Sequence, residues 1–483
     1  MSSSVSANPA AGDAAPSAQA AGLAQVAKAP GERQARRPRP GLALAVIAGC
    51  NAMIQLDDPI VNIALPGMRA DLGLSTVAAS WVLSAYLLVF GGLLLLGGRA
   101  GDLVGRRRVF LVGVALFTAA AGLRALAPTT EILVALRAVQ GVGAALAAPS
   151  GLALLLSMFA EGTARKKAIA VCTAVGACST AGGLLLAGAL TSISSWRWVL
   201  LLNVPLGLAI LLLGPRVLDE TARNRGRFDV AGALLSAAGA AGLVYGLSRA
   251  ADHAWSDPTV AGPLAGGVAL MAVFVAVESR ASQPIVMLRL FADRGRVLAY
   301  LATLAIPGSL IGAYFFLSQF FQQQSGWSAL AAAGALLPVP VTMAVTATFA
   351  VRFERRLGPK RMMALGATAL AAGNVWLSQL DAGDAYAPHV LPALLLLGTG
   401  MALSVIPPTV LATSGLRSDE AGAAASVLNA VQTMGGSLGI ALLVTASADR
   451  GSFTDSMSVG FTTGAAFAAA ALVAAVSIRS KSA

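Results

Sequence analysis

Long apolar stretches recur along the chain after residue 40, and they restrict the folds that it can adopt. An α-helix crosses a bilayer core of ~30 Å with about 20 apolar residues. The chain is therefore predicted to be an all-α integral membrane protein with fourteen transmembrane helices. The predicted spans lie near residues 41–66, 79–100, 108–126, 131–152, 167–190, 198–215, 228–248, 260–278, 297–322, 331–351, 362–380, 388–412, 422–446 and 456–478.

The composition agrees with a membrane location. Hydrophobic residues make up 57% of the chain and charged residues 12%, whereas about 25% of a soluble domain is charged. So few charges cannot cover a water-facing surface, which excludes a soluble enzyme and a disordered scaffold. The net charge of +12 would suggest a nucleic-acid partner in a soluble protein. In a membrane protein it reflects orientation instead, so no nucleic acid is expected.

The placement of the basic residues supports the number of spans. With the N-terminus inside, most of the 34 lysines and arginines fall on the cytoplasmic side. By the positive-inside rule this predicts cytoplasmic N- and C-termini in an inner or plasma membrane. About five basic residues are left for the outside loops, namely Arg69, Arg124, Arg197, Arg249 and Arg450.

Two similar basic turns indicate an internal repeat. Residues 97–108 follow the second span and residues 352–363 follow the tenth, and both are short and contain glycine. Related halves with a site between them are the usual build of a secondary transporter. The predicted organisation is a disordered cytoplasmic tail (1–40), an N-terminal six-helix bundle (41–215), a linker with two extra transmembrane helices (216–296), a C-terminal six-helix bundle (297–478) and a second tail (479–483).

Two adjacent carboxylates interrupt the first apolar stretch. Asp57 and Asp58 each cost roughly 2.5–3.5 kcal/mol at the centre of a bilayer, so such residues are functional by default. Neighbours on a helix point about 100° apart, so both cannot face one cavity equally. Each is a candidate proton or cation site, with an acid paired inside the bundle as the alternative. Pro59 is expected either to kink the helix beside them or to cause a harmless bend.

Arg137 is the only basic residue that the sequence places deep in a predicted span. A permanently charged guanidinium at that depth needs an acid, carbonyl groups or water. Pairing with Asp57 or Asp58 is expected, and a purely structural ion pair is the alternative reading.

The sequence offers little for an enzyme or a metal site. Cys50, Cys172 and Cys178 lie in apolar runs, and the two histidines lie in predicted outside loops. Residues 435–439 fit the G-x-S-x-G pattern of hydrolases, but they lie in an apolar helix. We interpret Gly435 and Gly439 as a small-xxx-small pair for helix packing. No metal or cofactor is expected.

Several segments resemble the fourteen-helix drug:proton antiporters of the major facilitator superfamily. The first-helix motif of that family is similar to LDDPIVNIALP (56–66), its fourth-helix motif to LRAVQGVGAA (136–145) and its entry to helix six to SWRWVLLLNVPLG (195–207). The superfamily signature between helices two and three resembles GGRAGDLVGRRR (97–108), through Gly98, Asp102, Gly105, Arg106 and Arg107.

The resemblance implies export of hydrophobic or cationic drugs in exchange for protons, with the proton gradient as energy source. It assigns proton coupling to Asp57, with Asp58 beside it, and to Arg137. It makes the 97–108 turn a cytoplasmic gate. The chain departs from the family at Pro59, where threonine is usual, and in the helix-five motif. There Gly182 and Gly183 match, while Cys178 and Ser179 replace a Gly-Pro pair.

Amide side chains inside the apolar helices are candidates for a substrate cavity, although buried amides also join helices. The expected partners are a small-molecule substrate, protons and the lipid bilayer, with a monomer favoured. A uniporter or proton-linked importer of the same fold, an intramembrane enzyme and a passive membrane sensor are the alternatives. The candidate cavity residues are Gln55, Asn62, Gln319, Gln323, Asn429 and Gln432.

Overall fold

The computed structural model describes residues 40–159, 162–220, 230–281, 286–381, 383–416, 418–448 and 452–478. Every regular element in these ranges is helical, with no strand among them. The predicted tails lie outside the described residues, except for Pro40, which begins the first helix.

The described helices follow one another through short connections. A 3₁₀ turn covers Leu288–Ala292, and a π-helical turn covers Phe320–Gln324. The α-helices are α1 (Pro40–Leu72), α2 (Thr76–Val104), α3 (Arg106–Arg124), α4 (Thr130–Met158), α5 (Thr163–Ile193), α6 (Trp196–Leu201), α7 (Asn203–Val217), α8 (Val230–Arg249), α9 (Pro258–Glu278), α10 (Arg294–Gln319), α11 (Ala329–Leu336), α12 (Pro338–Leu377), α13 (Tyr386–His389), α14 (Leu391–Thr413), α15 (Ser418–Ser447) and α16 (Phe453–Ser477).

The described residues contain eleven helical segments that are long and apolar enough to cross a membrane. The predicted spans near 331–351 and 362–380 lie largely on α11 and α12, and α12 is broken at Gly358, whose φ is +74°. Three of the fourteen predicted spans are helical but are not among the eleven: α3, α8 and the part of α12 beyond Gly358. The prediction of a multi-pass, all-helical membrane protein is confirmed.

Glycines let the helices pack closely. In the first half of the chain, α2 packs on α4, α3 on α4 and α7, and α1 on α5 and α7. In the second half, α10 packs on α15 and α16, and α12 on α14 and α16. A Cβ at Gly435 would lie well inside van der Waals contact of the Leu304 carbonyl oxygen, and one at Gly439 would overlap Gly308. The interpretation of Gly435 and Gly439 as a packing pair is confirmed.

The two groups of helices meet along α2 and α15 and along α5 and α11. Ser437 Oγ donates to the Ser84 carbonyl at 3.2 Å, and the Leu330 amide donates to Ser192 Oγ at 3.0 Å. Of the α8–α9 pair, α8 packs on α2 and α15.

Candidate functional site

Asp57 lies midway along α1, is fully buried and is held by three other helices. Its Oδ1 accepts from Arg124 Nη2 on α3 at 3.0 Å, from Gln140 Nε2 on α4 at 2.8 Å and from Asn203 Nδ2 on α7 at 2.7 Å. Its Oδ2 accepts from Arg137 Nη1 on α4. Both carboxylate oxygens are thus occupied by donors that fix Asp57 in place.

Arg124 corrects two predictions. The predictions that Arg124 lies in an outside loop and that Arg137 is the only basic residue deep in a span are both wrong. Arg124 is the last residue of α3 and its side chain is 1% exposed. A basic residue at the end of an apolar run looks like a membrane flank, and only the packing of α3 against α7 and α4 turns it inward.

Asp58 has surroundings unlike those of its neighbour. Its side chain is 39% exposed, and among the described residues its polar contact is with Arg137 Nη2 at 3.3 Å. Arg137 also donates to the Val82 carbonyl at 2.6 Å and lies over the ring of Tyr86, 4.7 Å from its centroid. The predicted pairing of Arg137 with Asp57 or Asp58 is thus observed with both acids. The difference in burial follows from the helical rotation of about 100° between successive residues.

A polar stripe runs along one face of α1. It consists of Asn51, Gln55, Asp58 and Asn62, which recur at intervals of four, three and four residues and therefore share a face. Gln55 is exposed, Asp58 is partly exposed and Asn62 is 7% exposed. Asn51 Nδ2 donates to the Cys172 carbonyl on α5 at 2.9 Å. The stripe is open towards the Pro40 end of α1 and becomes buried at Asn62.

Pro66, one turn beyond Asn62, affects the main-chain hydrogen bonding of α1 at Asn62. Pro66 has no N–H to offer to the Asn62 carbonyl, so α1 cannot use that acceptor internally. Ser318 Oγ on α10 donates to it at 2.8 Å. The proline of the first-helix motif therefore creates a main-chain acceptor that joins the two halves of the chain.

Two more hydrogen bonds complete this contact, which we call the α1–α10 closure. Gln322 Nε2 donates to the Ile63 carbonyl at 3.2 Å, and Arg69 donates to Gln319 Oε1. Gln319, predicted to line a cavity, is buried in the closure. The closure therefore joins the two halves of the chain near the Leu72 end of α1.

The remaining predicted cavity residues divide between two places. Asn429 and Gln432 line a cavity of about 90 Å³ between α10, α14 and α15, together with Thr303 and Ser404. Gln323 lies exposed on the π-helical turn. Of the six predicted residues, Gln55 and Asn62 therefore share the α1 stripe, and Asn429 and Gln432 share this cavity between α10, α14 and α15.

The 97–108 turn joins α2 to α3 through Gly105, whose φ is +120°. Asp102 Oδ1 accepts from Arg106 Nε at 3.1 Å and from Arg106 Nη2 at 2.9 Å. A Cβ at Gly98 would meet Pro149 at 3.7 Å, an ordinary contact. Of the two glycines, Gly105 is therefore the one that the backbone requires.

Glu220, which follows α7, contacts this turn and was not among the predicted site residues. Its Oε1 accepts from the Arg107 amide in the first turn of α3 at 3.1 Å, and its carboxyl carbon would lie 2.7 Å from a Cβ at Gly105. Arg107 Nη2 also donates to the Pro215 carbonyl at 2.8 Å. The segment after α7 is thus fastened to the turn. No motif in the sequence marks Glu220, since it lies more than a hundred residues away.

The two matching glycines of the helix-five motif differ in their surroundings. A Cβ at Gly182 would meet nothing within 4 Å, whereas one at Gly183 would lie 3.2 Å from Leu56 Cγ. Gly183 therefore permits the close packing of α5 on α1, and Gly182 faces open space.

The structure is thus that of a multi-pass helical membrane protein in which ion-paired charged side chains are buried among helices of the first half, α1, α3 and α4. Buried ionisable groups of this kind are typical of membrane transporters. Comparison with known sequences agrees, because the profile of the Major Facilitator Superfamily matches residues 47–440. The chain belongs to the Major Facilitator Superfamily, and it is a transporter rather than an enzyme.

Two relatives illustrate the similarity within that family. The chain is 38% identical over 408 residues to the cephamycin export protein CmcT of Amycolatopsis lactamdurans, covering 83% of this chain and 84% of the relative. It is 39% identical over 415 residues to the puromycin resistance protein pur8 of Streptomyces alboniger, covering 85% and 82%.

Solved structures share the fold at much lower sequence identity. The nucleoside transporter NupG matches with a TM-score of 0.65 at 13% identity, over 90% of this chain and 98% of NupG. The peptide transporter POT in complex with sulfate matches with a TM-score of 0.68 at 16% identity, over 91% and 94%.

Proposed function

We propose that this protein exports hydrophobic or cationic antibiotics across the cell membrane in exchange for protons. The observation that carries the proposal is the ion-paired cluster of Asp57, Asp58, Arg124 and Arg137, in which Asp58 lies on the polar face of α1 and the other three are buried. Ionisable groups inside a membrane bundle mark proton and ion pathways. Relatives named for cephamycin export and for puromycin and lincomycin resistance support antibiotics as the cargo.

The architecture that goes with this function has fourteen spans. One six-helix bundle comprises α1 to α7, the other comprises α10 to α16, and α8 and α9 are the two inserted helices. Both termini lie in the cytoplasm and the protein acts as a monomer. The excess of basic residues on one side of the predicted spans supports this orientation.

In that orientation the Leu72 end of α1 faces outside, so the α1–α10 closure seals the outer side. The stripe is then open to the cytoplasm, which makes this an inward-open state that receives substrate. The gate motif (Gly98, Asp102, Gly105, Arg106 and Arg107) lies on the cytoplasmic side, where it rearranges as the bundles rock. Asn429 and Gln432 face the substrate from the second bundle.

Exchange requires that substrate and proton act on one conformational equilibrium. A proton taken up outside at the α1 carboxylates, with Arg137 as their counter-ion, favours return to the inward-open state. Substrate bound inside favours release of that proton, and each ligand lowers the affinity for the other. Because Arg137 on α4 pairs with both α1 carboxylates, a change of charge at these carboxylates acts directly on the packing of α1 against α4.

Everted membrane vesicles test the proposal. The lumen is acidified by respiration, its pH is followed with a fluorescent dye, and puromycin, lincomycin or a cephamycin is added outside. We expect the luminal pH to rise as drug enters, and vesicles without the protein serve as control. Drug uptake that persists unchanged after an ionophore has collapsed the proton gradient would contradict antiport.

A uniporter or a proton-linked importer of the same fold is the second candidate. It is favoured by the altered helix-five motif, in which Cys178 and Ser179 stand in place of Gly-Pro. The vesicle experiment separates the three: a uniporter moves drug without protons, and an importer moves both in the same direction.

A further inference from the structure

We propose that Asp58, and not Asp57, is the carboxylate that exchanges ligands, releasing its proton when an organic cation, best a protonated amine, binds in its place. Arg124 and Asn203 are positioning residues that keep Asp57 permanently paired. This inference rests on the proposed function. It assigns to Asp58 both the coupling of substrate to proton and the preference for a positively charged substrate.

The surroundings of Asp57 leave no place for a ligand. Its two oxygens accept from four donors on α3, α4 and α7, and its side chain is 0% exposed. Protonation or substrate binding there would require one of these donors to lose its acceptor inside the protein, and removing one partner of a buried ion pair is strongly destabilising. Asp57 therefore serves as the fixed counter-ion of the two arginines.

Asp58 has the opposite properties. It lies on the polar stripe next to exposed Gln55, its side chain is 39% exposed, and its contact with Arg137 is long at 3.3 Å. Since Arg137 is already bonded to Asp57 and to the Val82 carbonyl, Asp58 is the weaker of its two carboxylate partners. A proton or a cation can reach Asp58 from the open end of the stripe without breaking the Asp57 cluster.

The charges around Asp58 make the two ligands exclusive. The charged or titratable groups that face it are Asp57 on the same helix, Arg137 from α4, Arg124 from α3 and Tyr86 from α2. When both aspartates are ionised, their two negative charges balance those of Arg124 and Arg137. Asp58 can then accept one further positive charge, either a proton or an ammonium group, but not both. When the cation binds, the carboxyl O–H bond of Asp58 breaks and the proton goes to water.

Unpaired acceptors near Asp58 favour a ligand that donates hydrogen bonds. Asn62 Oδ1 lies one turn further along the stripe, and it has no hydrogen-bond partner among the described residues although Asn62 is 93% buried. The buried Tyr86 hydroxyl likewise has no hydrogen-bond partner among the described residues. An N–H of a protonated amine would satisfy such an acceptor, whereas a quaternary cation would not.

Proton counting on binding tests the assignment. Puromycin is titrated into purified protein in detergent by calorimetry, in buffers of different ionisation enthalpy, which gives the number of protons released. We expect wild type to release a proton when puromycin binds and Asp58→Asn to release none. Asp58→Asn should also bind puromycin roughly tenfold more weakly, because it loses a hydrogen bond to a charged group. Asp58→Glu should restore release, and Asp219→Asn, which removes an exposed carboxylate, should behave as wild type.

The outcomes are distinct. Proton release that persists in Asp58→Asn overturns the inference and leaves antiport intact. Binding to wild type without proton release overturns the antiport itself. If neither puromycin nor tetraphenylphosphonium binds to folded wild type, organic cations are the wrong substrate class. Asp57→Asn should still release a proton where it folds, and loss of release in folded Asp57→Asn with retention in Asp58→Asn reverses the roles.

Discussion

Ser318 Oγ donates a 2.8 Å hydrogen bond to the main-chain carbonyl of Asn62, and this bond joins α10 to α1. The acceptor is free because Pro66, one turn later, has no N–H to occupy it. A proline in the first-helix motif thus has a specific consequence: it provides the first helix with an acceptor for the second half of the chain. Because breaking the bond leaves the buried Asn62 carbonyl without a donor, loss of the bond destabilises the α1–α10 closure.

Ser318→Ala should shift the protein away from the closed outer side. Loss of one hydrogen bond costs about 1 kcal/mol, which changes the ratio of the two states roughly fivefold. Spin labels at Ala70→Cys and Gln324→Cys, in a background without native cysteines, measure the population by distance. Ser309→Ala is the matched control, since Ser309 Oγ donates to the Gly464 carbonyl within the second half at 2.9 Å. An equal shift in both variants would contradict the role of the closure.

Arg124→Gln should destabilise the protein by about 3–5 kcal/mol, because it removes one partner from a buried ion pair. Arg108→Gln is the control: Arg108 is 63% exposed and 3.8 Å from Glu220, so its loss should cost about 0–1 kcal/mol. Thermal unfolding in detergent measures both. Adding Asp57→Asn to Arg124→Gln should cost less than the sum of the single changes; strict additivity would mean that the two groups do not interact.

Gly105→Ala should impair transport more than Gly98→Ala. A side chain at φ +120° is strained by about 1–3 kcal/mol, and its Cβ would lie 2.7 Å from the Glu220 carboxyl group. Gly98 is helical and has room for a Cβ. Drug-dependent proton flux in vesicles at matched expression reads out the difference. Comparable flux in the two variants would show that the Gly105 conformation is dispensable.

Two glycine substitutions on α15 should change stability in opposite directions. Gly435→Ala forces a Cβ against the Leu304 carbonyl oxygen, and overpacking of this kind costs about 1–3 kcal/mol. Gly422→Ala meets nothing within 4 Å and should gain about 0.5–1 kcal/mol from the greater helix propensity of alanine. The order of the two unfolding temperatures checks this, and it would be refuted if Gly435→Ala were the more stable variant.

The sequence alone was sufficient to predict the fold class and three of the charged residues at the centre of the site. Apolar stretches of membrane length predicted the helices, because the cost of exposing backbone in lipid leaves few alternatives. The cost of a charge in an apolar helix singled out Asp57, Asp58 and Arg137, and the helical rotation of successive residues predicted that the two acids differ.

Only the tertiary structure decided which acid is buried and which partners surround it. Arg124 and Asn203 reach Asp57 from α3 and α7, and Glu220 reaches the 97–108 turn from beyond α7. Gln319, which looked like a cavity residue, bonds to Arg69 in the closure. Periodicity places a residue on a face of its own helix, but the neighbour that covers this face depends on how distant helices pack. That packing is set by many small contacts across the whole bundle, and no local motif records it.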